Sequence, residues 1–396
     1  MPAIHRLSSA PGRNRDSEFG PGTLCSMTTD SGTHRHPPIP ERIVGPGELI
    51  AAIPAFLGFT PERSLVLMCL DVLAGSTLEV QTVMRHDLTL PDRSEGQSLF
   101  ESGVTEDMQS VIEHFAEMCA QYQVRAALAV IVDDRGVTVD GRFRGLAHRL
   151  SDQLRVRGVE LTEVYLIAEV TRGSRWRSAI GVMEYGYLTD PRTSPVALAY
   201  MLQGRGVHES RTMLARTVRP VDDPLSRTVA RTLASGAVVD VGSDRGRLHS
   251  IVEQLEEWSG YSPDNPAVVT LPPERIAEFG AAVQHVMVRD SVLALALTGV
   301  AGLAEQLWTL LMRTLPAPER ACPATLLAFS AYTRGEGALA SVALDIAHQA
   351  DENYSLAHLL SRSLAAGARP SMIREVALSG YAVAELCGVA LPPPVD

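Results

Sequence analysis

The sequence contains no lysine, and all 35 of its basic residues are arginine. Functions that need a lysine amine are therefore excluded: Schiff-base and pyridoxal phosphate catalysis, P-loop nucleotide hydrolysis and protein kinase activity. The glycine-rich fingerprints of nucleotide-binding loops are also missing. An alanine- and arginine-rich composition without lysine is typical of a GC-rich genome, so codon bias explains the missing lysine.

Cysteines and long apolar runs are also scarce. No Cys-x-x-Cys spacing occurs, which argues against a disulfide framework or a structural zinc site and favours a reducing cytoplasm. The longest apolar run, 292–304, is shorter than the roughly 20 residues of a membrane span, so we expect a buried helix with its turn and no membrane segment. The cysteines are Cys25, Cys69, Cys119, Cys322 and Cys387.

The charge is negative overall, with 46 acidic residues and a net charge of −11. This argues against nucleic acid as a general partner but allows a local basic patch. Residues 135–177 contain nine arginines and five acidic residues, a local charge of +4 that leaves −15 for the rest of the chain. Arg142, on a predicted helix, and Trp176, which lies between two arginines, are candidate ligand-binding residues for phosphate, a nucleotide or nucleic acid. A solvated helix face that complements the acidic second half is the alternative.

The length favours two folded domains. Residues 1–41 are rich in Pro, Gly, Ser, Thr and Arg, lack the apolar stretch of a signal peptide, and are expected to form a disordered tail. Either Met1 or Met27 is the start of translation. We expect an α/β layered domain over 42–190 and a helical domain over 191–396.

Hydrophobic periodicity predicts the elements of the first domain. Strands alternating with helices imply a mixed, largely parallel sheet, to which the first two strands add an antiparallel hairpin edge. A short helix from Gly47 should bend or end at Pro54. The predicted strands are 64–71, 76–85, 125–132, 161–170 and 182–189, and the predicted helices are 106–122 and 142–157.

Helical patterns dominate the second domain, with proline-bearing breaks near 219–224, 263–273 and 316–318. A single further strand is possible at 237–241. The predicted helices are 207–217, 245–258, 273–287, 290–298, 301–314, 322–334, 336–350, 354–365 and 371–387.

Two stretches of the chain carry a family resemblance. Residues 48–54, 57–61 and 64–66 resemble the opening motif of an actinobacterial family known as domain of unknown function 4192. Residues 328–357 are similar to the C-terminal helical segment of that family, and 288–290 match an Arg-Asp pair. Thr60 stands where the family motif implies a histidine before the proline. The resemblance implies a fold class and a host but brings no established activity.

Polar residues at strand ends are the candidate catalytic groups. Ser64 opens a buried strand directly after Arg63, and Asp133 and Asp134 follow another strand, which is where open α/β sheets place ligands and metals. One hypothesis is a hydrolase or transferase acting on a phosphorylated small molecule, with Ser64, Asp133 and Asp134 catalytic and Arg63 and Arg142 ligand-binding. The alternative is that these residues cap turns. We predict no metal site and leave any cofactor undetermined.

Recognisable catalytic sets are otherwise missing from the sequence. It contains no Gly-x-Ser-x-Gly nucleophile elbow and no His-Glu-x-x-His zinc motif. His86 and Asp87 are interpreted as a surface pair, because the other histidines lie singly on separate helices. The favoured hypothesis is therefore a non-enzymatic cytoplasmic binding or scaffolding protein whose helical domain contacts a protein partner, with an undetermined oligomeric state.

Overall fold

The computed structural model describes residues 45–73, 77–90, 104–135, 141–202, 205–235, 242–260 and 270–395. The chain divides into two compact units, one with the described residues up to Arg211 and one with those from Thr212 onwards. The first unit holds a β-sheet with helices, and the second is helical. The predicted tail over 1–41 and the possible strand at 237–241 lie outside the described residues.

The first unit builds one six-stranded sheet flanked by helices. Its elements in chain order are α1 (Pro46–Leu57), β1 (Ser64–Leu73), β2 (Thr77–Asp87), α2 (Glu106–Gln121), β3 (Ala126–Val132), α3 (Gly141–Val156), β4 (Glu160–Ile167), β5 (Arg175–Ser178), β6 (Tyr185–Tyr187), a 3₁₀ helix (Pro191–Thr193) and α4 (Pro195–Leu202).

The sheet is mixed, as predicted, and has the strand order β2-β1-β3-β4-β5-β6. The prediction that it is largely parallel is wrong, because β3 and β4 form its one parallel pair among the described strands. The physical reasons are the position of β1 and the antiparallel pairing of β5 with both β4 and β6. The helix-connected strands β2, β3 and β4 do run in one direction, but β1 lies antiparallel between β2 and β3. The antiparallel hairpin of β1 and β2 at the edge is confirmed.

Helices cover both faces of this sheet. One core lies between the sheet and α1 with α4, and includes Ile50, Val66, Val130 and Tyr165. The other lies between the sheet and α2 with α3, and is filled by alternating residues of the same strands. Both faces of the central strands are therefore buried, which explains why their sequences are almost continuously apolar.

Two local features of this unit go beyond the sequence prediction. The first helix does not end at Pro54 but continues to Leu57, and Ile50 to Ala55 are all buried. Tertiary burial therefore holds the last turn despite the proline. The sequence also does not predict β5, because the four residues from Arg175 to Ser178 include two arginines and show no apolar strand pattern.

The second unit is helical, as predicted. Its elements are α5 (Arg211–Val218), α6 (Pro224–Ala234), α7 (Asp244–Ser259), α8 (Pro273–Ala282), α9 (Val286–Val292), a second 3₁₀ helix (Leu293–Leu297), α10 (Ala301–Thr314), α11 (Ala321–Thr333), α12 (Gly337–Ala350), α13 (Ser355–Ala365) and α14 (Pro370–Leu386).

Helix α11 is the centre of this unit, since all of its residues are buried. A helix that is apolar on every side is expected in such a position. The apolar run 292–304 is only partly buried. It is not one helix, because the second 3₁₀ helix and a turn separate α9 from α10. Within the described ranges, no helix has the length and apolarity that crossing a membrane requires.

Candidate functional site

Four of the predicted site residues come together at one edge of the sheet. Because β2, β3 and β4 share a direction, their carboxyl ends meet at this edge, where antiparallel β1 begins. Ser64 lies opposite Val132, the last residue of β3. Arg63 and Ser64 are thereby brought beside Asp133 and Asp134, and we call these four residues the edge cluster.

The Ser64 hydroxyl is buried and held by two partners. It donates to the carbonyl oxygen of Glu62 at 2.6 Å and accepts from Nε of Arg85 at 2.8 Å. Arg85 also forms an ion pair with Asp87 at 2.5 Å. A peptide carbonyl cannot take up the hydroxyl proton as a general base would, so these contacts orient Ser64 without activating it.

Asp133 is the buried carboxylate of the edge cluster, with only 1% of its surface exposed. Its Oδ1 accepts from the backbone N–H and from Nε of Arg135, at 3.1 and 2.9 Å, and its Oδ2 accepts from Nη2 at 3.0 Å. Its own N–H donates to the carbonyl of Ile167 at the end of β4, at 3.0 Å. One side chain therefore neutralises both carboxylate oxygens and fixes the turn after β3.

Asp134 and Arg63 form a second two-point ion pair, with Nε–Oδ1 and Nη2–Oδ2 distances of 2.7 and 3.2 Å. The hydrogen bond from Arg63 holds the pKa of the Asp134 carboxyl below its usual range. Arg63 has a positive φ of 40°, and its carbonyl accepts from the N–H of Leu88 at 2.6 Å. Left-handed backbone at a non-glycine residue persists only where the surroundings enforce it, and such positions concentrate at binding sites.

The edge cluster and its neighbours are balanced in charge. Three guanidinium groups, those of Arg63, Arg85 and Arg135, form ion pairs with three carboxylates. This arrangement suits a rigid recognition surface better than proton transfer, which needs a group with a pKa near the working pH. Among the described residues, no group of three or more His, Cys, Asp or Glu side chains is placed to hold a metal ion.

Comparison with known proteins places the chain in a family. A family model described as "Domain of unknown function (DUF4192)" matches residues 46–371. The chain belongs to this family. No curated protein and no solved structure matches it. The resemblance inferred from the sequence motifs is thereby confirmed.

The C-terminal motifs of this DUF4192 chain also converge. In α9, Arg289 forms an ion pair with Asp290 at 2.7 Å and a hydrogen bond with Tyr354 at the start of α13. The Tyr354 hydroxyl also contacts Cys322 of α11, whose thiol donates to the carbonyl of Val283 at 3.0 Å. Burial raises the pKa of Cys322 to about 12, so the thiol is unreactive and this cluster serves to join helices.

The other two predicted ligand-binding residues, Arg142 and Trp176, have aromatic neighbours. The guanidinium of Arg142 lies 5.8 Å from the ring centroid of its neighbour Phe143. Trp176 is only 6% exposed and packs edge-to-face against Tyr165, with 5.1 Å between ring centroids. The predicted stacking role of Trp176 is therefore corrected, because its indole ring belongs to the core of the first unit.

Sequence reasoning missed Arg85 and Arg135 as partners of the edge cluster. Arg135 follows Asp133 by two residues, a spacing at which a long side chain can fold back onto a strand-end carboxylate. Arg85 reaches Ser64 only through the register of β1 and β2, which a local pattern does not contain. The ring of His86 contacts the backbone carbonyl of Asp87, whereas the carboxylate of Asp87 pairs with Arg85, so this carboxylate does not orient the imidazole as in a catalytic dyad.

Glu163 is a further residue that the sequence does not single out. It lies part-buried on β4 near Glu184, and burial followed by repulsion from Glu184 raises its pKa to about 7. The folded chain therefore keeps the proton of Glu163 at pH values where the unfolded chain has released it. This difference lowers stability progressively as the pH rises from about 4.5 to about 7.

Glu163→Gln should remove this loss, since glutamine carries no charge. We expect the variant to be more stable than wild type by about 1 kcal/mol at pH 8, because solvent reaches part of the carboxyl and weakens the effect, and to gain nothing at about pH 4. Urea unfolding at both pH values measures the difference. Glu160→Gln, at an exposed position of the same strand, is the control. An equal gain for Glu163→Gln at both pH values would contradict the prediction.

Proposed function

We propose that this DUF4192 chain is a non-enzymatic binding or scaffolding protein of the cytoplasm, and that its helical unit docks a protein partner on one face of α14. The observation that carries the proposal is an exposed apolar stripe on this helix. Met372, Val376 and Leu386 are exposed by 55, 48 and 79%, respectively. We call these three residues the α14 stripe.

Helical geometry places the α14 stripe on one side of the helix. At 100° per residue, its three members fall within about 80° of one another. A separate set of small and apolar residues, which includes Ile373 and Ala377, faces the interior of the unit and is buried. One apolar side of α14 is therefore buried by the rest of the helical unit, and a neighbouring apolar side is exposed to solvent. A second, exposed apolar side is typical of a helix that docks a partner.

The contacts of the edge cluster support binding over catalysis. An enzyme acting on a phosphorylated small molecule would also need polar residues that converge as the edge cluster does. That activity is therefore the second candidate function. The ion pairs of the cluster argue against this enzymatic activity, because an arginine already binds both carboxylate oxygens of each aspartate. A phosphate ligand would have to displace these carboxylates from their arginines.

The cytoplasmic part of the proposal rests on cysteine chemistry. The described cysteines, Cys69, Cys119, Cys322 and Cys387, are all free thiols. Cys69 and Cys119 lie with their sulfur atoms 3.5 Å apart in the core, where they share a hydrogen bond and are not joined by a disulfide. Free thiols this close are typical of a reducing compartment.

The experiment compares full-length tagged proteins purified from the native host under mild conditions, with native mass spectrometry of the eluted complexes. We expect the wild type to carry one protein partner at a fixed stoichiometry and the double variant Met372→Ser/Val376→Ser to lose it. Leu378→Ser is the matched control, because Leu378 is also exposed on α14 but lies about 120° from Met372 and about 160° from Val376 around the helix. Thermal unfolding checks that all three proteins are folded.

Three outcomes would overturn the proposed docking. The first is a wild-type chain that elutes without a stoichiometric partner. The second is a double variant that retains the partner. The third is a complex made only of copies of this chain, which light scattering on the purified protein detects. Turnover of a phosphorylated small molecule that is lost in Ser64→Ala would instead support the second candidate.

A further inference from the structure

The last two strands of the sheet leave part of one face uncovered. Tyr185 and Tyr187 of β6 are 53 and 58% exposed. Gly186, between them, points towards the core, because a Cβ atom built on it would lie 2.6 Å from the indole of Trp176. Side chains alternate along a strand, so both tyrosines point to the opposite face and present their rings to solvent.

An arginine stands opposite each tyrosine on the neighbouring strand. The register pairs Arg175 with Tyr187 and Arg177 with Tyr185. The guanidinium of Arg175 also lies 4.6 Å from the centroid of the Tyr185 ring. Two aromatic rings and two cations therefore share one small surface, which we call the Tyr–Arg face.

Arg177 lacks a counter-ion within the part of the chain that the structure describes. Its Nε and Nη2 are buried there without a hydrogen-bond partner. Burial and the nearby positive charge of Arg175 both lower its pKa. An anion arriving at this surface would offset both effects, so the site favours a negatively charged ligand.

The acidic residues of this hairpin do not supply that anion. Glu184 alternates with Tyr185 and so points to the side of Gly186, where it repels Glu163. The two arginines of the Tyr–Arg face also lie at the end of the stretch 135–177. The local charge of this stretch is +4, whereas the remainder of the chain is negative. Charge on this face is thus complementary to an anion.

We propose that the Tyr–Arg face binds single-stranded nucleic acid. Tyr185 and Tyr187 each stack one base, Arg175 contacts the phosphate between them, and the charge of Arg177 behind it adds to the attraction. Alternate residues of a strand are about 7 Å apart, so two rings on one strand can take neighbouring, unstacked bases. An acidic peptide would use the arginines but gives no role to a pair of exposed rings, and a duplex keeps its bases out of reach.

The test is fluorescence anisotropy of the full-length chain with a labelled oligothymidylate of about 12 nucleotides. We expect a dissociation constant below about 100 µM that weakens between about 50 and about 200 mM salt. Tyr185→Ala and Tyr187→Ala should each weaken binding at least about fivefold, whereas Tyr185→Phe keeps the ring and should bind like wild type. Arg175→Gln should weaken binding and make its salt dependence shallower.

Arg155→Gln is the matched control, since Arg155 is an exposed arginine of the same basic stretch but lies in the last turn of α3 rather than on β5 or β6. It should bind like wild type. The proposal is overturned if wild type shows no salt-dependent binding, if both tyrosine-to-alanine variants bind as tightly as wild type while remaining folded, or if a duplex or polyglutamate competes as well as the unlabelled single strand. None of these results depends on the α14 stripe.

Discussion

Replacing Gly380 with alanine should lower the free energy of unfolding of the helical unit by about 3 kcal/mol. Gly380 is where α14 crosses the end of α9. A Cβ atom built on it would lie 2.9 Å from both the carbonyl oxygen of Asp290 and the backbone nitrogen of Ala294. Because backbone atoms cannot rotate away as a side chain can, α14 must shift as a whole. That shift would loosen the packing of its buried face.

Gly302→Ala is the matched control for this prediction. Gly302 is also inside a helix, α10, but a Cβ atom built on it meets no atom within 4 Å. Alanine there should leave the packing unchanged and raise stability by about 0.5–1 kcal/mol through helix propensity. Differential scanning calorimetry of both variants, fitted with separate transitions for the two units, measures the effects. Similar stability changes for the two variants would contradict the close approach at Gly380.

Much of the fold follows from short-range patterns in the sequence. The apolar runs that open at Ser64 and Ala126 are buried strands because helices cover both faces of the sheet. The helical spacing of Met108, Ile112 and Phe115 predicts the buried side of α2. Such patterns report which side of an element is buried, and this information is local.

The order of the strands is not local information. The helix-connected strands run parallel, as the alternation of strands and helices predicts, yet β1 inserts antiparallel between β2 and β3, and β5 pairs antiparallel with β4 and β6. Which strand occupies the central position depends on the packing of whole elements. Likewise, the four residues of β5 form a strand because β4 and β6 pair with them, not because of their own pattern.

In the candidate site, too, some contacts follow from local sequence patterns and others depend on how whole strands pair. The rule that strand-end polar residues meet at one edge of a sheet correctly brings Ser64 and Asp133 together. Their partner Arg85 depends on strand register, which the sequence does not reveal. Trp176 fails as an exposed ring because Gly186 on the next strand leaves space for the indole inside the core.

Asp133→Ala should lower the free energy of unfolding of the first unit by about 3 kcal/mol. The variant removes the acceptor for three hydrogen bonds from Arg135, one of them from its backbone N–H. It thereby leaves the backbone N–H of Arg135 without its acceptor and strips the guanidinium of its counter-ion. Asp133→Asn should cost less, because one amide oxygen can still accept while the amide N–H groups face the arginine.

Asp134→Ala is the control that isolates burial as the cause. Asp134 is the next residue and is also held at two points by an arginine, but the side chains of Arg63 and Asp134 are 56 and 47% exposed. Water can replace that pair, so its loss should change stability little. Urea unfolding of the three variants, followed by circular dichroism, gives the order Asp133→Ala, Asp133→Asn, Asp134→Ala from most to least destabilised. If Asp133→Ala and Asp134→Ala are equally stable, the buried pair does not hold the turn after β3, and the rigidity attributed to the edge cluster has to come from β-sheet hydrogen bonds alone.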